Sequence, residues 1–192
     1  MSALLACENV ACLRGGRLLF HGLSFTLTAG EALWLQGPNG IGKSSLLRLV
    51  AGLLRADAGT VERGAALALA DERIALDAEL SLGDALAFWA KVDGTSTDDA
   101  MAAMALTALA DVPVAYLSTG QRKRAVLART IASGAALWLL DEPSNGLDAA
   151  SLTQLRGAIA AHRGCGGAVL FASHFDLELP DQRTLALADF PA

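Results

Sequence analysis

Charge is scarce in this chain. Asp, Glu, Lys and Arg make up only 18% of it, and acids outnumber bases by 20 to 15. A net charge of −5 speaks against nucleic acid as a partner, because phosphate backbones are held by clustered Lys and Arg. The basic cluster Arg122-Lys123-Arg124 is too short to reverse that reading. Long apolar runs are also missing. The longest, residues 100–106, falls far short of the roughly 20 residues a membrane-spanning helix needs. The positive mean hydropathy, +0.41, comes largely from alanine, which is weakly hydrophobic and favours helix. Cysteine is rare: Cys7, Cys12 and Cys165 are an odd number with no C-x-x-C spacing. That excludes a disulfide framework and points to buried thiols in a reducing compartment. His21 and His162 lack ligand-spaced partners, and Met1-Ser2-Ala3-Leu4-Leu5 lacks the basic region of a signal peptide. A cytoplasmic-facing protein is expected.

What is abundant is apolar surface to bury: hydrophobic residues make up 53% of 192, enough for one domain with a small lobe. There is no repeat and no low-complexity linker. Residues 4–10, 17–20 and 23–27 read as short strands separated by Gly15-Gly16 and His21-Gly22 turns. Strands at 60–62 and 65–70 follow, then helices over 82–92 and 98–109. Helix is predicted from Gln121 to 133, a buried strand at 136–140, helix over 149–162 and a second buried strand at 168–172. Residues 185–188 can close the sheet. Helices alternating with fully apolar strands imply an α/β fold whose parallel sheet is covered on both faces.

Three motifs carry chemistry. Gly37-Pro38-Asn39-Gly40-Ile41-Gly42-Lys43-Ser44, with Ser45 behind it, is a complete G-x-x-x-x-G-K-[ST] loop between an apolar strand and an apolar helix. Its glycines let backbone N–H groups turn inward on a phosphate chain, and the helix N-terminus adds partial positive charge. Lys43 is expected to reach the β- and γ-phosphates and Ser44 to ligate Mg²⁺. The apolar stretch ending in Asp141-Glu142 is the second motif. Ligands collect at the carboxyl ends of parallel strands, so Asp141 is expected in the metal shell and Glu142 at the attacking water. The third is Leu117-Ser118-Thr119-Gly120-Gln121, where a hydroxyl, backbone N–H groups and a helix dipole converge into a second anion site. Taken alone, Ser118 or Thr119 would read as an ordinary helix cap.

In their order, these motifs, then Asn145-Gly146-Leu147-Asp148 and His174, resemble the ATPase domains of ABC transporters over essentially the whole chain. The resemblance implies a single domain over residues 1–192. It would have a mostly parallel core sheet, an N-terminal antiparallel β region and a helical subdomain at about 78–132. It further implies ATP and Mg²⁺ as ligands and a head-to-tail pair of subunits. Ser118, Thr119, Gly120 and Gln121 would then serve the ATP of the second copy, residues 145–148 would touch that copy, and His174 would meet the γ-phosphate. Lys43, Glu142 and His174 are the catalytic candidates; Ser44 and Asp141 are the metal candidates.

Two departures narrow the resemblance. Arg14 stands where many members place an adenine-stacking aromatic. No glutamine occurs between Gln36 and Gln121, where the family places one that links Mg²⁺ to the membrane partner; Asp71-Glu72-Arg73-Ile74 stands there instead. The short length and the opening Leu13-Arg14-Gly15-Gly16-Arg17-Leu18-Leu19-Phe20 are similar to the ATP-binding subunits of cytochrome c biogenesis haem exporters. That branch implies separate transmembrane subunits, a peripheral place on the cytoplasmic face of the inner membrane, and no direct haem binding. The alternatives are a regulatory ATP-driven clamp on another membrane complex, or transport of a different substrate.

Overall fold

The computed structural model describes residues 3–72 and 75–191. Two sheets organise it. The first is antiparallel, with β1 (Leu5–Arg14) between β2 (Arg17–Leu27) and β4 (Ala58–Arg63). Gly15 and Gly16 both have positive φ (57° and 79°), the requirement of a tight two-residue hairpin, and they bring Arg14 opposite Arg17. Residues 17–20 and 23–27 are not separate strands. β2 runs through Gly22, whose φ of 66° kinks the ladder where its register shifts without ending it.

The second sheet is parallel, in the order β5 (Leu67–Ala70), β6 (Leu137–Asp141), β7 (Ala168–Ala172), β3 (Ala32–Gln36) and β8 (Arg183–Ala186). Every residue of β6 and β7 is buried, as expected of strands covered on both faces. Their side chains alternate between two cores. Leu137, Leu139, Ala168 and Leu170 join α1 (Lys43–Val50) and the antiparallel sheet. Trp138, Leu140, Val169 and Phe171 join the helices α2 (Leu82–Asp93), α3 (Asp98–Ala103), α4 (Thr119–Ala132) and α5 (Ala149–Gly164).

Three expectations need correction. The helix predicted over 98–109 stops at Ala103, because Ala105 takes a φ of 48° and only a short 3₁₀ turn, Thr107–Leu109, follows. Arg124 of α4 donates to the carbonyls of Met104 and Ala105 at 2.9 and 3.1 Å, replacing the helical bonds lost there. α4 begins at Thr119 rather than Gln121, since Ser118 caps it. Cys7 and Cys12 are buried, but Cys165 is exposed beyond the end of α5. Burial pushes the Cys7 thiol up to about 12, so it stays protonated.

Candidate nucleotide site

The carboxyl ends of β3, β5, β6 and β7 point the same way, and every segment of the first two motifs leaves the sheet there. After β3, Gly37, Gly40 and Gly42 take φ values of 146°, 77° and 120°. A Cβ on Gly42 would lie 3.2 Å from the Phe20 ring, and one on Gly37 would lie 2.9 Å from Ile41 Cγ2. Glycine is therefore required both by conformation and by space. Gly42 caps α1 without any side-chain acceptor, so the first N–H groups of the helix face the loop. Lys43 Nζ donates to the carbonyl of Gly37 at 2.7 Å and lies 3.5 Å from that of Pro38. Its ammonium thus spans the loop mouth.

Asp141 ends β6, with the Ser44 side chain near enough across the loop to pull on its titration. Burial raises its pKa, against the opposing pull of Ser44, Arg48 and Lys123. Its Oδ1 is buried without a hydrogen-bond partner. An orphaned carboxylate oxygen beside a hydroxyl is the hard-oxygen donor pair that a small divalent cation takes, completed by phosphate and water. The residues present fit such an ion.

Glu142 has a φ of 46°, in the left-handed region, while its N–H still bonds Ala172 O at 2.9 Å. The kink turns its side chain away from that of Asp141 and toward the end of β7. There Glu142 Oε2 accepts the His174 N–H at 3.3 Å, and His174 Nε2 lies 3.4 Å from Glu142 Oε1.

One cleft of about 460 Å³ is lined by Pro38, Asn39, Gly40, Gly42, Lys43, Ser44 and Ser45 with Glu142 and His174; Gly37, Ile41 and Asp141 are not among its lining residues. Leu19, Glu72 and Asn145 also line it. Sequence reasoning placed Arg14, not Leu19, against the nucleotide; Arg14 is not among the lining residues. The signal for Leu19 lay in the loop itself, because a glycine at 42 is what leaves room for the β2 side chains beside it. Arg73 and Ile74, the second half of the segment without glutamine, lie outside the described residues.

The third motif does not line this cleft. Ser118 Oγ accepts the Gln121 N–H at 3.2 Å, and Gln121 Oε1 accepts the Ser118 N–H at 2.8 Å, a reciprocal capping box. Gly120 is tucked against the 145–148 turn, where an added Cβ would stand 3.1 Å from Gly146 O. Thr119 lines a neighbouring cavity. Asp148 caps α5 by accepting the Ser151 N–H at 2.8 Å, and that bond holds its pKa below the usual carboxylate value.

Residues 20–145 match the family model for ABC transporters. The cytochrome c biogenesis ATP-binding export protein CcmA of Sphingopyxis alaskensis is 60% identical over 190 residues, covering 97% of this chain and 98% of that protein. Its counterpart in Zymomonas mobilis is 56% identical, covering 100% of this chain and 87% of that protein. Among solved structures, a metal-chelate type ABC transporter in an inward-facing conformation superposes with a TM-score of 0.83 at 27% identity, covering 97% of this chain and 80% of that one. The chain belongs to the ABC transporter family, as an ATP-hydrolysing subunit of the cytochrome c biogenesis ATP-binding export type.

Proposed function

We propose that this chain hydrolyses ATP with Mg²⁺ in a head-to-tail pair, beneath separate membrane subunits, and drives haem export or release of a haem-loaded carrier for cytochrome c maturation. One observation carries the dimer: within a single chain, Ser118 and Gly120 stand outside the cleft that holds the phosphate loop. The anion site at the head of α4 is therefore free to meet the γ-phosphate of a second copy, with residues 145–148 between the two.

The residues of one copy then divide the work. Gly37–Ser45 wrap the triphosphate with backbone N–H groups, and Lys43 moves from the loop carbonyls to the β- and γ-phosphates. Ser44 and Asp141 would hold Mg²⁺, which would supply neutralisation of the negative charge on the phosphate oxygens. Glu142 takes a proton from the attacking water, and its contact with His174 keeps both side chains at the γ-phosphate. The Ser118 hydroxyl accepts the cap bond through a lone pair, which leaves its proton for a phosphate oxygen of the other subunit. Binding is mostly positioning and charge neutralisation, so an incomplete half-site is inactive.

A membrane partner is supported by the surface of α2. Phe88 (58% exposed) and Val92 (64%) present apolar area there, beside a cavity lined by Ala75, Leu80 and Trp89. Among the described residues no helix is long and apolar enough to cross a membrane. Peripheral attachment at the cytoplasmic face follows from such a partner, and neither nucleic acid nor haem is a ligand in this reading. Pull-down from native membranes in detergent, read by mass spectrometry, should recover integral membrane subunits. A deletion strain should lose covalent haem attachment to c-type cytochromes. Normal attachment in that strain would remove the haem role and leave the ATPase intact.

A further inference from the structure

Behind the triphosphate cleft lies a second cavity of about 360 Å³, and the two share Glu72, Glu142 and Asn145. Arg122 and Lys123 of α4 both line it; the Arg122 guanidinium is held by the Ala115 carbonyl, whereas Lys123 reaches toward β6. Its Nζ donates to Asp141 O at 3.3 Å. Burial lowers the pKa of that ammonium, against the opposing pull of Asp141, Glu72, Glu142 and Asp71. Asp71 is also tied to Arg48 of α1, at 3.4 Å. The crowding has a source. Glu72 follows β5 into the cleft, where it adds a carboxylate beside Glu142 in the place proposed to receive a polyanion. Carboxylates that share a partly buried cleft with a polyanion repel it and oppose binding.

We propose that Lys123 is the counter-charge that lets Glu72 stand beside the triphosphate, making the two a coupled positioning pair for ATP. The inference rests on the proposed ATP site and adds to it a residue outside all three motifs. A neutral side chain at position 72 would need no such partner, whereas a carboxylate does. Because α4 carries Ser118–Gln121 at its head, the same lysine also ties the signature helix to the carboxylates of its own cleft. Through that link, charge arriving in one subunit's cleft is felt on the helix that serves the other's.

The test is a double-mutant cycle on the full-length chain, read by equilibrium binding of the fluorescent nucleotide mant-ATP with Mg²⁺ and by Mn²⁺ binding in electron paramagnetic resonance. Lys123→Gln should weaken mant-ATP binding about tenfold, the scale of one lost partly buried charge contact. Glu72→Gln in the same chain should restore it to within about twofold, and Lys123→Arg should bind like the parent. Additive effects of the two substitutions, or unchanged affinity in Lys123→Gln, would overturn the pairing. If Lys123→Gln fails to fold, the double variant decides: folded and nucleotide-binding supports the pairing, unfolded overturns it. A parent protein that binds no mant-ATP would instead sink the ATP site itself, and with it the pair.

Discussion

Glu142 sits at φ 46°, a conformation that costs a non-glycine residue of order 1 kcal/mol and persists only where surrounding contacts enforce it. Here the ladder bond to Ala172 and the contacts with His174 enforce it. The strained turn sends consecutive carboxylates different ways, Asp141 toward Ser44 and Glu142 toward His174, which suits the separate tasks proposed for them. Glu142→Gln should lower phosphate release by about 10²–10⁴-fold while an ATP-bound dimer accumulates, read by size-exclusion chromatography. Unchanged release would leave Glu142 without its role. Gly120→Asp places a carboxylate at the expected γ-phosphate contact and beside Gly146 O, so ATP-dependent dimerisation should vanish. Gly167 shows the same spatial logic away from the site. A Cβ there would fall 2.2 Å from the His162 ring, which stacks on Trp138 at 3.8 Å. Gly167→Ala should cost about 1–3 kcal/mol, the range for overpacking, because the ring must leave its stack on Trp138. A thermal melt would report it.

At the scale of elements, helix ends differ. α1 has no side-chain cap, which leaves its N-terminus open for the phosphates of the proposed site. α4 and α5 are capped by Ser118 and Asp148, which position the signature and the 145–148 turn. Asp148 has a lowered pKa, so its bond contributes stability above the unfolded carboxylate value of about 3.9 and loses it as pH falls through the folded one. Asp148→Asn should therefore lower the melting temperature near neutral pH and flatten its decline below about pH 4. An acid limb unchanged by the substitution would assign that decline to other carboxylates. The 98–109 segment shows why element ends are hard to read: nothing local marks Ala105 for a left-handed φ. The break is stabilised by Arg124, some twenty residues away in sequence.

For the whole molecule, the parallel sheet gathers four strand ends into one cleft but leaves the signature outside it, which is why the proposed working unit is a pair. The exposed apolar end of α2 faces neither core. Phe88→Glu should abolish recovery of membrane subunits in the pull-down while leaving mant-ATP affinity unchanged. Retained subunits would move the docking surface elsewhere. The proposed pair of Lys123 and Glu72 belongs to this scale too, since it would join the ends of β5 and β6 to the helix that carries the signature.

The phosphate loop, the buried strands and the order of motifs were legible in the residues themselves. Each rests on local rules: glycine where φ is positive, apolar runs for strands covered on both faces, carboxylates at their ends. The two cores were implicit in the alternation along β6 and β7. What needed the tertiary structure was everything set by approach between distant segments. Leu19 rather than Arg14 lines the cleft because β2 is carried past the loop at Gly42. Helix α3 ends early because Arg124 satisfies the freed carbonyls. Lys123, one of three adjacent basic residues, gains its proposed role only once α4 has laid it against Asp141 and into the cavity that Glu72 also lines. Spacing along the chain encodes which groups exist; packing decides which charges must share one small volume.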